Sequence, residues 1–267
     1  MSEYVIRGGV EGKRRLDLLA RELRPTTVEW LARAGVGPGM RCLDLGCGGG
    51  HVTVELGRIT GPDGAVVGVD NDETILQLAR ESVEEAGLAN VELRTGDVLA
   101  FDEQSSFDVV YARFLVTHVP DPAGVVARMA AAARPGGVVI VEDIDYDGVF
   151  CRPVSPAFEH YRSIFMMLMR RRGGDPTIGP RLAGLLRGAG LEDPELRVVH
   201  PVHYRGEGKL GNYVTMVNIT DRAVADGLLT GQEAEELLTE LLTVTEDEET
   251  VVGWPRIFQL AARRPPA

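Results

Sequence analysis

The sequence has little cysteine, which argues against a small fold held together by disulfides or by a zinc ion. Its three cysteines are Cys42, Cys47 and Cys151. None of them is spaced as C-x-x-C, so neither a disulfide framework nor a zinc site is indicated. The histidines and acids show no metal-ligand spacing either, and no metal is expected. This cysteine usage is typical of a reduced, cytoplasmic protein.

Long apolar runs and dense positive charge are also missing. No stretch approaches the roughly 20 apolar residues of a membrane span, and the first residues lack a signal-peptide profile, so no membrane partner is expected. The formal net charge is -12, and the only basic run is Arg170-Arg171-Arg172. That run suits a helix C-terminus. Nucleic acid is excluded as an expected partner, because phosphate binding relies on clustered Lys and Arg.

A glycine-rich turn after an apolar segment is the most informative feature that the chain does have. Residues 41–45 read as a buried strand, and Gly46, Gly48 and Gly50 follow at alternate positions. Glycine tolerates positive φ and has no Cβ, so backbone amides can approach a ligand there. A helix is expected from about His51, and its free N–H groups favour a carboxylate or phosphate at the turn.

The glycine spacing narrows the class of ligand. A dinucleotide fingerprint, G-x-G-x-x-G, needs glycine where this chain has His51. The spacing here is G-x-G-x-G, preceded by Asp44. An NAD-dependent oxidoreductase is therefore a disfavoured alternative.

Acids follow the next two predicted strands. The strand at 65–70 ends in Asp70, and the strand near 91–94 leads to Gly96-Asp97-Val98. Ligands of open α/β sheets bind outside the carboxyl ends of the strands, so these acids are expected beside the glycine turn. Asp70 has a second interpretation as the N-cap of a helix predicted over 74–86.

This order of motifs resembles the class I S-adenosylmethionine-dependent methyltransferases. The resemblance implies that Asp44 faces the ammonium of the cofactor, S-adenosyl-L-methionine. It implies that the loop backbone cradles the methionine half and that the following strand ends bind the nucleoside. The residues implied as cofactor-binding are Tyr4, Asp44, Gly46, Cys47, Gly48, His51, Asp70, Asn71, Gly96, Asp97, Val98, Arg113 and Phe114.

Besides Asp70, three of these residues have an alternative role. Tyr4 begins the chain in a pattern similar to a lid over the cofactor, and a frayed terminus is the alternative. His51 would touch the cofactor carboxylate or simply cap its helix. Arg113 would flank the methionine part or form a salt bridge at the strand tip.

Alternating strands and helices predict an α/β fold. With the resemblance, the expected class is a Rossmann-like, doubly wound, seven-stranded sheet, mostly parallel with one antiparallel edge strand, as the family implies, and an inserted helical cap. Helices are predicted over 12–23, ended by Pro25, and from about Thr26 to Ala34. Two closing strands are expected at 197–204 and 256–262.

The predicted organisation has five parts. They are an N-terminal helical lid at 1–35, a cofactor-binding core at 36–150, substrate-side helices and an edge strand at 151–205, a helical insertion at 206–250 and a closing strand at 251–267. The insertion contains the capping box Thr230-x-x-Glu233. It is interpreted as part of a lid or of an interface, such as that of a homodimer.

Methyl transfer from a sulfonium depends mainly on orientation, since effective molarities reach ~10⁵–10⁸ M. A base is needed where the acceptor is a hydroxyl or an acidic carbon. His118 is the first candidate, with packing under the turn at Pro120 as the alternative. Asp143 and Asp145 are further candidates, against the alternative of a solvated acidic turn.

The segment 111–122 resembles that of ubiquinone/menaquinone-type and natural-product methyltransferases, where it lines the cofactor and acceptor sites. A methionine-rich stretch at 165–169 is ordinary core or an adaptable wall for an apolar acceptor. The expected acceptor-binding residues are Phe114, His118, Tyr146, Phe165, Met166 and Met169.

The expected activity is methylation of a small, largely apolar metabolite. The alanine-, arginine- and glycine-rich composition suggests a high-GC bacterium and secondary metabolism. The choice among O-, N- and C-methylation stays open. A methyltransferase-like cyclase and a non-catalytic cofactor-binding module are the alternatives that keep the cofactor.

Overall fold

The computed structural model describes the backbone of residues 9–266 and the side chains of residues 15–266. Its first half alternates strands and helices, as predicted. The elements are α1 (Gly9–Arg33), β1 (Arg41–Leu45), α2 (His51–Thr60), β2 (Ala65–Asp70), α3 (Glu73–Glu85), β3 (Val91–Thr95), β4 (Phe107–Arg113), α4 (Pro122–Ala132) and β5 (Ala133–Asp145).

The second half adds helices and short strands. They are β6 (Phe150–Arg152), α5 (Pro156–Arg171), α6 (Leu182–Gly188), β7 (Glu195–Val199), β8 (Val202–His203), α7 (Gly211–Ala225), α8 (Gly231–Glu246), β9 (Val251–Gly253) and β10 (Arg256–Arg263). No helix among the described residues is long and apolar enough to cross a bilayer.

The main sheet has seven strands in the order β3-β2-β1-β4-β5-β10-β7. Strands β1 to β5 are parallel, and β10 runs antiparallel between β5 and β7. Central strands such as β1 and β4 are buried and apolar, as expected for a parallel sheet covered on both faces. The predicted fold class is confirmed.

Helix α1 does not end at Pro25 as predicted, because one helix runs through it. Proline in a helix interior removes a hydrogen bond and costs ~3 kcal/mol. Leu23, Trp30 and Leu31 are buried on either side of the exposed Pro25. Burial of each such side chain stabilises by about 1.5–3 kcal/mol, so packing outweighs the proline penalty.

The single strand predicted over 197–204 is wrong, because the structure divides it between two sheets. Pro201 separates β7 from β8, and proline cannot donate to a strand ladder. Its carbonyl instead accepts the Trp254 N–H at 2.9 Å. Strand β8 then joins a small sheet of order β6-β9-β8 that the sequence did not reveal.

Two helix starts show side-chain capping. The capping box at Thr230 and Glu233 is present at the start of α8. Helix α3 is capped by Asp72, whose carboxylate accepts the N–H groups of Thr74 and Ile75. Asp70 is therefore not the N-cap, and the alternative interpretation of that residue is wrong.

The inserted helices share an apolar cluster with the substrate-side helix. Met216 and Leu241 of the insertion lie in one buried cluster with Tyr146, Tyr161 and Phe165. Helices α7 and α8 therefore pack directly on the side of the sheet where the acceptor was expected. The division of the chain into five parts remains a prediction.

Candidate active site

The glycine loop after β1 has the backbone that the sequence predicted. Gly46, Gly48 and Gly50 have φ values of 71°, 51° and 77°, in the left-handed region that favours glycine. The N–H groups of Gly46 and Cys47 donate to the Val69 carbonyl at 2.8 and 3.1 Å. A Cβ on Gly48 would meet nothing within 4 Å, so this part of the loop faces open space.

Asp44 supplies a buried carboxylate directly below the loop. It is 2% exposed, and its Oδ2 accepts the Thr53 hydroxyl at 2.6 Å. Burial raises the pKa of Asp44 to about 6, against the opposing effects of Thr53 and Arg113. A carboxylate held in this way gains most from a cationic partner, so it suits an ammonium group.

Asp70 lies at the tip of β2 and is joined to the neighbouring loops. Its Oδ2 accepts the Gly48 N–H at 2.9 Å and its Oδ1 accepts the Asp72 N–H at 3.1 Å. The Gly96 N–H donates to the Asp70 carbonyl at 2.9 Å. Burial raises the pKa of Asp70, although these N–H groups favour the charged form. The structure thus brings the first three predicted strand ends together.

The end of β3 offers an accessible acid. Asp97 is exposed, and its Oδ1 accepts the Leu99 N–H at 2.8 Å. Val98 is buried, whereas Asn71 after β2 is exposed. The exposed positions of Asp97 and Asn71 leave both side chains accessible to a ligand.

Arg113 and Phe114 follow β4 on the other side of the loop. The Arg113 guanidinium lies 5.6 Å from the Phe114 ring centroid and donates to the Thr27 hydroxyl at 3.3 Å. No carboxylate of residues 15–266 forms an ion pair with Arg113, so the salt-bridge alternative is not observed. Phe114 has φ of 55°, which is uncommon for a bulky residue and occurs at functional sites.

Helix α1 approaches the loop from above. His51 Nε2 lies 2.9 Å from Asp17 Oδ1, so α1 is tied to the start of α2. A cavity of about 510 Å³ lies between α1, α2 and α3, and Asp17, Thr27, His51 and Arg113 line one part of it. Tyr4 lies outside the described residues.

The two carboxylates considered as bases are engaged in the fold. Asp143 is fully buried and accepts the N–H groups of Thr117 and Ile144 at 3.0 and 2.8 Å. Burial raises its pKa to about 7. Asp145 is 3% exposed and pairs with Arg256 at 2.7 Å. Neither side chain belongs to a solvated turn, so that alternative is wrong.

His118 lies in a short 3-10 turn, Val116–His118, after Phe114. Burial lowers the pKa of His118 to about 3, and the charge of Arg15 adds to this effect. The imidazole is therefore neutral near pH 7. The low pKa also makes this imidazole a weak base, whereas an efficient general base has a pKa near the working pH.

The predicted acceptor-binding residues from β5 and α5 come together. Tyr146 stacks on Phe165 with ring centroids 4.0 Å apart. Met169 lies in the same buried cluster, and Phe114 and Met166 pack against it from partly buried positions. This cluster forms an apolar wall that continues from the end of β4.

Two sets of polar side chains were given no specific role by sequence reasoning. Buried Glu142 accepts hydrogen bonds from Thr27, Tyr111 and Gln259 at 3.0, 2.8 and 2.8 Å. A glutamate inside the apolar run of β5 was the available signal. The polar side chains of α1 and α7 beside Tyr161 were also given no role, because no spacing in the sequence indicates that they meet.

Comparison with known proteins identifies the family. A family profile described as "Methyltransferase domain" matches residues 37–177, just over half of the chain. The chain is 35% identical over 199 residues to the ubiquinone biosynthesis O-methyltransferase of Hahella chejuensis, spanning 72% of this chain and 80% of that protein. The chain belongs to the class I S-adenosylmethionine-dependent methyltransferases.

Solved structures agree with this methyltransferase fold. A Bacillus halodurans methyltransferase structure superposes with a TM-score of 0.62 at 22% identity, covering 89% of this chain and 97% of that one. Phosphoethanolamine N-methyltransferase 2 of Haemonchus contortus, solved with phosphomonomethylethanolamine and S-adenosylhomocysteine, gives 0.57 at 20% identity, covering 90% and 52%.

The cofactor of the methyltransferase is S-adenosyl-L-methionine, and the NAD-dependent alternative is wrong. The site fits this group on its own geometry, through the buried carboxylate of Asp44 and the open space above Gly48.

Proposed function

We propose that the methyltransferase methylates an oxygen of a small, largely apolar, ring-containing metabolite. The observation that carries the proposal is the stack of Tyr146 on Phe165 beside Phe114. A stacked aromatic pair offers a large apolar surface, which suits a flat, apolar ligand. The identity to an O-methyltransferase of ubiquinone biosynthesis supports oxygen as the atom that is methylated.

The proposed cofactor contacts follow from the strand ends. Asp44 attracts the ammonium, the backbone of Gly46, Cys47 and Gly48 cradles the methionine half, and Arg113 or His51 faces its carboxylate. Asp70 accepts from the ribose hydroxyls and Asp97 from the adenine amino group. The cofactor supplies an electrophilic methyl group on a sulfonium.

The protein's own part in the reaction is orientation and exclusion of water. Phe114 and Tyr146 hold the acceptor ring, and the positioned pair gains the large effective molarity of an intramolecular reaction. The hydrogen bonds of Asp143 and the pair of Asp145 with Arg256 occupy those carboxylates. His118 is the remaining candidate to accept a proton, as a neutral and weak base.

The setting of the activity is part of the same proposal. The composition, rich in alanine, arginine and glycine, supports a role in bacterial secondary metabolism. The net charge of -12 supports a small molecule rather than a nucleic acid as partner. A homodimer formed through the inserted helices α7 and α8 is the proposed assembly, which light scattering would test.

Product analysis tests the proposed reaction. The enzyme is incubated with methyl-labelled S-adenosylmethionine and a matched panel of bicyclic phenols, aryl amines and a nucleic acid, and each product is identified by mass spectrometry. Label on phenol oxygen is the expected result. Label on amine nitrogen or on nucleic acid, or tight cofactor binding without transfer, would contradict it.

A further inference from the structure

A polar cluster lies inside the apolar wall that faces the acceptor. It consists of Arg15 on α1, Tyr146 after β5, Tyr161 on α5 and Asn212 and Thr215 on α7. The hydroxyls of Tyr146 and Tyr161 are hydrogen-bonded to each other, and Tyr161 also donates to Asn212 Oδ1 at 3.4 Å. Arg15 Nε donates to the Thr215 hydroxyl at 3.3 Å. Three separate helices therefore bring polar groups to one place.

One donor of this cluster has no acceptor. Asn212 is 4% exposed, and its Nδ2 has no hydrogen-bond partner among the described residues. Buried amide groups are normally paired, so an unpaired buried donor is open to an acceptor atom that a ligand supplies. Its Oδ1 is already occupied by Tyr161, which directs the amide N–H groups away from that hydroxyl.

The charge of the cluster is positive. No carboxylate of residues 15–266 forms an ion pair with Arg15, whose recorded partner is the neutral Thr215 hydroxyl. Burial raises the pKa of Tyr161 to about 12, and the Arg15 charge opposes that rise. The same charge acts on Tyr146 and His118. Among residues 15–266 this partly buried cation has no carboxylate partner, and an anionic ligand would stabilise it.

We propose that Arg15 and Asn212 bind an ionised oxygen of the acceptor, so that the methyltransferase selects acidic acceptors over their neutral analogues. The oxygen belongs to a phenolate, an enolate or a carboxylate. The guanidinium and the free amide N–H group donate to it, while the ring of the acceptor lies against the stacked Tyr146 and Phe165. This inference rests on the proposed function, since it concerns the acceptor of that reaction.

Binding of matched probes to the protein saturated with S-adenosylhomocysteine tests the inference. Calorimetry at pH 8 compares 2-naphthoate with its methyl ester, and 4-nitrophenolate with 4-nitroanisole. At least one anion should bind ~10-fold or more tightly than its neutral partner, as charge-assisted hydrogen bonds allow. The pair that shows the preference identifies a carboxylate or a phenolate as the recognised group.

Variants assign the preference to the named residues. Arg15→Met and Asn212→Leu should bring the affinity ratio of anion to neutral probe close to one. Arg33→Met is the matched control on the same helix, since Arg33 is exposed and pairs with Glu195. It should keep the wild-type ratio. Should Arg15→Met fail to fold, Arg15→Lys should retain the preference and Asn212→Asp should reverse it.

The outcomes separate this inference from the proposed function. Failure to bind S-adenosylhomocysteine overturns the proposed function. Binding of that compound with equal affinity for anions and neutral probes, or with no probe binding, overturns the inference alone. A ratio that Arg33→Met lowers as much as Arg15→Met does also overturns it.

Discussion

The carboxylate of Asp70 accepts the backbone N–H of Gly48 at 2.9 Å, so the acid of the second strand directly fixes the loop of the first. The two strand ends are therefore one unit. In the proposed cofactor site Asp70 holds the ribose and the loop holds the methionine half, so this hydrogen bond couples the two halves of that site.

Replacing Asp70 should weaken cofactor binding through both halves. Asp70→Ala removes charge-assisted bonds to ribose and the acceptor of the Gly48 N–H, at a cost of ~1–3 kcal/mol. Titration with S-adenosylhomocysteine measures the loss. Asp72→Ala is the control, because it removes only the α3 cap and should lower stability by ~1 kcal/mol with unchanged affinity. Equal affinities for wild type and Asp70→Ala would remove Asp70 from the site.

Cofactor affinity should depend on the protonation of Asp44. Burial raises the pKa of Asp44 to about 6 in the free protein, so below that pH the protonated carboxyl no longer attracts an ammonium. Affinity for S-adenosylhomocysteine should fall as pH drops through 6 in the wild type. In Asp44→Asn the affinity should be weaker and should not change with pH over the same range. A wild-type affinity that does not change with pH would exclude a contact between Asp44 and the ammonium.

His118 should contribute less than a strong general base. Its pKa, lowered by burial to about 3, keeps the imidazole neutral and weakly basic, so His118→Ala should lower kcat by less than ~10-fold, against ~10²-fold or more for a general base. Steady-state kinetics with the identified acceptor give kcat and KM separately. The exposed His160 provides the control variant, His160→Ala. A loss of ~10²-fold in kcat would make His118 the base.

Stability should decrease with pH on account of Asp143. Burial raises its folded pKa from 3.8 to about 7, so between these values the folded protein binds a proton that the unfolded chain does not. The contribution is complete below the lower value and is lost as pH rises through 7. Urea unfolding should therefore show wild type losing stability relative to Asp143→Asn over this window.

Asp193→Asn serves as the control for that comparison. Asp193 is exposed and pairs with Arg187 at 2.9 Å, so its replacement should leave the pH dependence of the wild type intact. If the free energy of unfolding of wild type and of Asp143→Asn changed in parallel with pH, Asp143 would be ionised in the folded protein throughout this range.

The cofactor side of the site was predictable because local chemistry determines it. The left-handed backbone at positions 46 and 48 favours glycine, and Asp70 follows directly from its strand end. Periodicity also located the strands of the parallel sheet. These signals come from neighbouring residues, so a single sequence contains them.

The acceptor side was less predictable because it is assembled from distant segments. Arg15, Tyr161 and Asn212 meet only through the packing of three helices, and no spacing in the chain relates them. The helix through Pro25 has the same origin, since tertiary burial outweighs a local breaking signal. Tertiary context, rather than residue type, decided these features.

The place of β10 inside the sheet has a consequence for biosynthesis. Because β10 separates β5 from β7, β7 has no partner and β5 is paired only with β4 until the ribosome has released residues 256–263. Nascent chains therefore carry two open edges, which are prone to aggregate. Truncation before Arg256 should yield insoluble material, and chaperone demand during translation should be highest between the emergence of β5 and that of β10.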